Sequence, residues 1–112
     1  MSTSYPNTNL YIDGRWQPAA SGDTIDVINP ANEEVIGTVA RAGASDLDEA
    51  LSSADKAFKI WKNTSAFDRY KILRKAADLL RKRADIIAQI MTIEQGKPLA
   101  ESKGETLVGA DR

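Results

Sequence analysis

A chain of 112 residues can build one domain with a modest core and falls far short of a two-domain enzyme with its own catalytic lobe. Hydrophobic residues make up 42% and charged residues 28%, and the formal net charge of −1 offers no field to gather nucleic acid or acidic lipid. The complete lack of Cys and His excludes disulfides, thiolate and imidazole metal ligands, thiol nucleophiles and histidine general bases.

No apolar run approaches the roughly 18 residues of a membrane span. The opening Met1 to Asn9 is polar, without the basic segment and apolar core of a secretion signal. The expectation is a cytoplasmic protein with no nucleic-acid and no membrane partner.

The hydrophobic period changes near Ala40, from alternation to helical spacing. Leu10-Tyr-Ile12 and Arg15-Trp-Gln17 flank Asp13-Gly14, a pair suited to a type I′ hairpin turn. A second hairpin is expected after Ser21-Gly22, with strands Thr24 to Ile28 and Glu34 to Ala40. Asn29-Pro-Ala-Asn32 joins them, because Pro30 lacks an amide hydrogen and biases Asn29 away from helix. Two hairpins imply open edges, and Leu10, Ile12, Trp16, Ile25, Val27, Val35 and Val39 require cover.

Ser45 with Asp48 reads as a capping box opening a first helix, whose stripe Leu47, Ala50, Leu51, Ala54, Ala57, Phe58 and Trp61 is expected inward. Ser65 with Asp68 opens a second helix carrying Tyr70, Leu73, Ala76, Ala77 and Leu80 inward. A break near residues 81–85 precedes a third helix burying Ile86, Ile87, Ile90, Met91 and Ile93. Gly96 fits a left-handed C-cap and Pro98 the first turn of a fourth helix, Leu99 to about Val108, with little to pack on. No repeat or linker divides the chain, so 1–112 is expected to be a single partial domain, strand-rich over 10–40 and helical over 45–108.

Candidate chemistry is sparse. Gly96-Lys97-Pro98 matches neither phosphate-loop pattern and reads as helix punctuation. Arg69, Lys71, Arg74, Lys75, Arg81, Lys82 and Arg83 are interleaved with Asp68, Asp78 and Asp85, as on a solvated helix face. Glu94, Glu101 and Glu105 lack a nucleophile to serve, and pairing of Glu101 with Lys97 and Lys103 accounts for that segment more simply. Trp16 and Trp61 are expected to anchor packing. Asn63-Thr64-Ser65 fits the glycosylation pattern, but reads as punctuation between helices.

Leu10-Tyr-Ile-Asp-Gly-Arg-Trp16, Ile28-Asn-Pro-Ala-Asn32, the Ala54 to Trp61 helix, Ile72-Leu-Arg-Lys-Ala-Ala-Asp-Leu-Leu80 and Gln89-Ile-Met-Thr-Ile-Glu-Gln-Gly-Lys-Pro-Leu-Ala-Glu-Ser-Lys-Gly-Glu105 follow one another in an order and spacing that resemble the N-terminal segment of the aldehyde dehydrogenase superfamily. The resemblance is nearest to the succinate-semialdehyde and ketoglutarate-semialdehyde enzymes. It implies a partial α/β fold, two hairpins followed by three to four helices, at the N-terminal part of a nucleotide-binding domain. The family oxidises an aldehyde to a carboxylic acid with NAD or NADP, using a cysteine nucleophile and a glutamate base that the resemblance places in later motifs.

On that reading residues 1–112 hold no catalytic and no cofactor-binding residue. The chain alone is expected inactive and without cofactor, its partner being the remainder of the subunit in a homo-oligomer, dimer or tetramer. Several members of the family bind an alkali cation through backbone oxygens before the Asn-Pro turn and an acidic side chain before the Gly-Lys pair. The matching positions are Val27, Ile28 and Glu94, with Glu94 one methylene longer than the aspartate common there. The ending at Arg112 reads as a truncation, and the alternative function is that of a non-catalytic remnant or small interaction module.

Overall fold

The structure, a computed structural model, describes residues 4–112. In chain order its elements are β1 (Leu10–Ile12), β2 (Arg15–Gln17), β3 (Thr24–Ile28), β4 (Val35–Ala40), α1 (Ala44–Trp61), α2 (Ala66–Lys82), α3 (Ala84–Gln95) and α4 (Leu99–Asp111). The strands form two separate two-stranded ribbons, β1–β2 and β3–β4. This is the expected partial α/β architecture of two hairpins and four helices. By their contacts the described residues divide into two compact units, one comprising 4–5, 28–36 and 65–112, the other 6–27 and 37–64.

In the unit holding β1, β2 and α1, the antiparallel register pairs Leu10 with Gln17, Tyr11 with Trp16 and Ile12 with Arg15. Asp13 and Gly14 have φ of 52° and 74°, the two positive values a type I′ turn needs. Ile12 and Ala19 are buried here. The edge of β4 is less open than its sequence implied. Thr8 N–H donates to Thr38 O at 2.9 Å, Ala40 N–H donates to Thr8 O at 2.8 Å, and Asn7 Oδ1 accepts from Thr38 N–H at 2.9 Å. The segment before β1 therefore satisfies backbone groups that would otherwise template another strand.

α1 begins two residues earlier than its Ser45-Asp48 pattern suggested. Its N-cap is Gly43, and the first-turn carboxylate that turns back is Asp46. Asp46 Oδ2 accepts from Gly43 N–H at 2.8 Å while Oδ1 accepts from Ala20 N–H at 3.0 Å. One buried carboxylate thus closes the helix start and ties it to the loop after β2, an advantage Asp48 does not have. At the far end Asn63 Nδ2 donates to Lys59 O and Thr64 Oγ1 to Ile60 O, so the sequon does serve as helix punctuation.

The helical unit is held by small residues. Ala84 and Ala88 on α3, and Ser102, Thr106 and Ala110 on α4, are its buried residues. α4 packs on α3 and on α2, so the expectation of a last helix with little to pack on is corrected. The reason lies in spacing: Ser102, Thr106 and Ala110 recur every four residues, one narrow seam whose short side chains admit close helix approach. Thr92 Oγ1 and Ser102 Oγ share a hydrogen bond of 2.9 Å, and Thr106 Oγ1 donates to Ser102 O at 2.9 Å. Arg81 Nη2 donates to Ala110 O at 3.0 Å and to Asp111 Oδ1 at 2.6 Å, satisfying a terminal carbonyl of α4.

Ser65 caps α2 as expected, its Oγ accepting from Asp68 N–H at 3.1 Å. The hydroxyl also donates to Asp68 Oδ2 at 2.8 Å, and this hydrogen bond, followed by that from Lys71, holds the Asp68 carboxyl below its ordinary pKa. α2 and α3 are separated at Arg83, where the sequence predicted a break.

Several stripes expected inward are not covered by this chain. Leu47, Leu51 and Phe58 on α1, Tyr70, Leu73 and Leu80 on α2, and Ile86 on α3 are exposed, while Ile87, Ile90, Met91 and Ile93 are half-buried. Trp16, 66% exposed, and Trp61 do not anchor packing as expected; Trp16 instead lies against Tyr11, ring centroids 4.9 Å apart, on an open ribbon face. A repeating apolar face shows that a helix has an inside, but not that the same chain provides the cover.

Candidate functional site

The chemistry-bearing residues gather around the turn joining α3 to α4. Gly96 closes α3 in the left-handed region, φ 76° and ψ 6°, its N–H donating to Thr92 O at 2.8 Å. The Asn29 to Glu33 turn lies against it: a Cβ on Gly96 would stand 2.9 Å from Pro30 Cγ. That turn is held by Asn29 Oδ1 accepting from Ala31 N–H at 3.0 Å and by Asn29 N–H donating to Glu34 O at 2.9 Å. Glu33, at φ 61°, completes the reversal. Gly96 thus meets two demands at once, a positive φ and a neighbour too close for any side chain.

Glu94 stands two residues before Gly96, and its Oε2 accepts from Tyr5 Oη at 3.2 Å. Burial first, then the charge and hydrogen bond of Glu94, raise the Tyr5 hydroxyl above its usual pKa. Lys97 pairs with Glu105 and Lys103 with Asp85 at 2.7 Å, so the pairings expected with Glu101 are replaced by contacts that tie α4 to its surroundings.

Ile28, the last residue of β3, belongs to the same unit as Glu94, whereas Val27 belongs to the other. A carboxylate and strand carbonyls are hard oxygen donors, the chemistry an alkali cation takes. Among the described residues no group of three or more Asp, Glu, His or Cys side chains is placed to hold a metal.

Lys97 is engaged by Glu105, and Pro98, at the start of α4, has no N–H to offer a phosphate. A hollow of about 340 Å³ between Pro6, Asn7, Thr8, Asn9 and Trp16 carries no cationic side chain. The basic residues of α2 are partly neutralised along the helix, Lys71 by Asp68 at 3.1 Å and Arg74 by Asp78 at 3.5 Å. The Tyr5 to Glu94 bond and the Pro30 to Gly96 approach join residues far apart in sequence and carry no local signal, although Glu94, Pro30 and Gly96 were each legible singly.

The model of the aldehyde dehydrogenase family matches residues 16–112. The chain is similar to a glutarate-semialdehyde dehydrogenase of Pseudomonas aeruginosa, 47% identical over 89% of this chain and 21% of that protein. It superposes on an NAD-dependent aldehyde dehydrogenase from Sinorhizobium meliloti with a TM-score of 0.93 at 37% identity, over 97% of this chain and 22% of the other. A NADP dependent enzyme of E. coli superposes at 0.91 with 40% identity, over 93% and 22%. The chain spans about a fifth of the length of the relatives it matches, and with the family pattern running through residues 16–112 it belongs to the aldehyde dehydrogenase family.

Proposed function

We propose that this chain is the N-terminal structural segment of a cytoplasmic, NAD(P)-dependent semialdehyde dehydrogenase, a homo-oligomeric enzyme that oxidises an aldehyde to a carboxylic acid. The observation that carries this reading is the 47% identity, across 89% of the chain, to a glutarate-semialdehyde dehydrogenase. The catalytic cysteine and glutamate and the dinucleotide contacts then belong to the rest of the subunit. Residues 1–112 contribute the two ribbons and four helices on which that rest is built. A cysteine-free chain can form no thiohemiacetal with the aldehyde, so in this reading the segment is scaffold and not catalyst. An alkali-cation role for Glu94 belongs to the same reading.

Two measurements test it. The pure 112-residue chain, given glutarate or succinate semialdehyde with NAD+ or NADP+, should form no NADH or NADPH above background; turnover would overturn the scaffold assignment. A chimera in which this segment replaces the matched region of the P. aeruginosa enzyme should oxidise glutarate semialdehyde. A chimera that folds and oligomerises but is inactive would overturn the semialdehyde dehydrogenase reading.

A further inference from the structure

The turn between β1 and β2 sets a reactive pair in the open. Asp13 is the one aspartate or asparagine of the sequence that is followed by glycine. Asn29 precedes Pro30, whose nitrogen carries no hydrogen, and each of the others precedes a residue whose Cβ crowds the amide. Asp13 and Gly14 are both exposed. Among the described residues no hydrogen bond or ion pair engages the Asp13 carboxyl or the Gly14 N–H, since the bonds that close a two-residue turn belong to the flanking pair, Ile12 and Arg15. A Cβ built on Gly14 would meet nothing within 4 Å, so no neighbour takes the place of the missing side chain in shielding its nitrogen. Other carboxyls are occupied: Asp46 is buried and accepts from Gly43 and Ala20 N–H, and Asp68 accepts from Ser65 and Lys71.

We infer that Asp13 is a site of spontaneous backbone isomerisation in the folded chain. The Gly14 nitrogen attacks Cγ of the protonated Asp13 carboxyl; an N–Cγ bond forms, the Cγ–OH bond breaks, and the hydroxyl leaves with the amide proton as water. The product is a five-membered cyclic imide. Water then adds to one of its two carbonyls. Opening at Cγ restores aspartate, whereas opening at the main-chain carbonyl leaves isoaspartate, with the chain running through Cβ and Cγ and the α-carboxylate free. One water leaves and one returns, so the step needs no oxidant, reductant or other reactant. The lengthened main chain no longer fits a two-residue turn. The pairing of Ile12 with Arg15, the Tyr11 and Trp16 rings 4.9 Å apart, and the burial of Ile12 all depend on that turn. Isomerisation therefore loosens the ribbon, whose Gln17 Nε2 donates to Glu49 Oε2 of α1 at 3.2 Å.

The test is prolonged incubation of the pure 112-residue chain in mildly acidic buffer, with and without guanidinium chloride. Isoaspartate is measured by enzymatic transfer of a labelled methyl group from S-adenosylmethionine to the free α-carboxylate, and located by peptide mapping with electron-transfer fragmentation. In native buffer it should accumulate at residue 13 ahead of every other aspartate, with loss of the near-UV circular dichroism of the Tyr11 and Trp16 pair. Asp13→Gly keeps a turn residue suited to positive φ but carries no carboxyl, and its methyl acceptance should be lost. Asp13→Asn reaches the same imide with ammonia as the leaving group and should also yield isoaspartate at that position. Equal far-UV circular dichroism before incubation reports that the chains share one fold. Isoaspartate at residue 13 in denaturant only overturns the inference, as does its preferential appearance at another aspartate or undiminished methyl acceptance by Asp13→Gly. An Asp13→Asn chain that keeps its asparagine throughout shows that the turn forbids ring closure, and overturns it as well.

Discussion

Replacing Gly96 by alanine separates two costs that the α3–α4 turn combines. An L-residue forced into the left-handed region loses about 1–2 kcal/mol. Lower entropy of the unfolded chain returns roughly 0.4–1 kcal/mol of that. The new Cβ would also stand 2.9 Å from Pro30 Cγ and 3.7 Å from Pro30 Cβ. The first distance forces one turn to move, and overpacking of this kind costs about 1–3 kcal/mol. Gly96→Ala should therefore destabilise by about 2–4 kcal/mol. In a Pro30→Ala background Cγ is gone and only the ordinary contact at 3.7 Å remains, so the same substitution should cost about 1 kcal/mol. Urea titrations followed by far-UV circular dichroism on the four chains of this double-mutant cycle give the coupling directly, expected at about 1–3 kcal/mol. A coupling below about 0.5 kcal/mol would mean that the Asn29 to Glu33 turn does not bear on Gly96.

Other perturbations follow from contacts described above. Asp46→Ala leaves the amides of Gly43 and Ala20 without their shared acceptor and should cost about 2–3 kcal/mol, with amide exchange quickening at both residues; unchanged exchange at Ala20 would break the proposed tie between the loop after β2 and α1. Ser65→Ala removes the hydrogen bond that contributes most to the lowered pKa of Asp68, so the carboxyl resonance should titrate at higher pH in the variant. Because the folded-state pKa of Asp68 is depressed, its contribution to stability is present above the unfolded value of about 3.8 and fades as pH falls through the folded one. Loss of helix α2 on acidification should accordingly be less steep in Ser65→Ala, and an unaltered Asp68 titration refutes the capping geometry. Arg81→Met keeps the aliphatic stem but not the donors to Ala110 O and Asp111; faster amide exchange confined to 108–111 is expected, and protection equal to wild type would remove Arg81 as the clasp of α4.

Local rules succeeded where the deciding contacts are local. Asp13-Gly14 needs no neighbour to make its turn, Ser65 finds Asp68 three residues on, and Gly96 ends α3 by its own φ. The start of α1 went astray because two serviceable patterns overlap, Ser45 with Asp48 and Gly43 with Asp46. The second prevails with a bond from Ala20, 26 residues away, which no window can reveal. α4 was undervalued because its seam is Ser102, Thr106 and Ala110, polar or small residues that do not register as an apolar stripe. The stripes of α1 and α2 were expected inward, yet Leu47, Leu51, Phe58, Leu73 and Leu80 are exposed, since periodicity reports a face and not its neighbour. Around Glu94 the acidic residue was legible and Tyr5, 89 positions away, was not.

The seam of methyls and hydroxyls between α3 and α4 has a calorimetric consequence. Melting it wets little hydrocarbon, and newly wetted polar groups oppose the heat-capacity increase that hydrocarbon produces. The seam itself should therefore add little to the curvature of the stability curve or to the urea slope, and both fall to the half-buried Ile87, Ile90, Met91 and Ile93 of α3, because curvature and denaturant slope follow wetted surface.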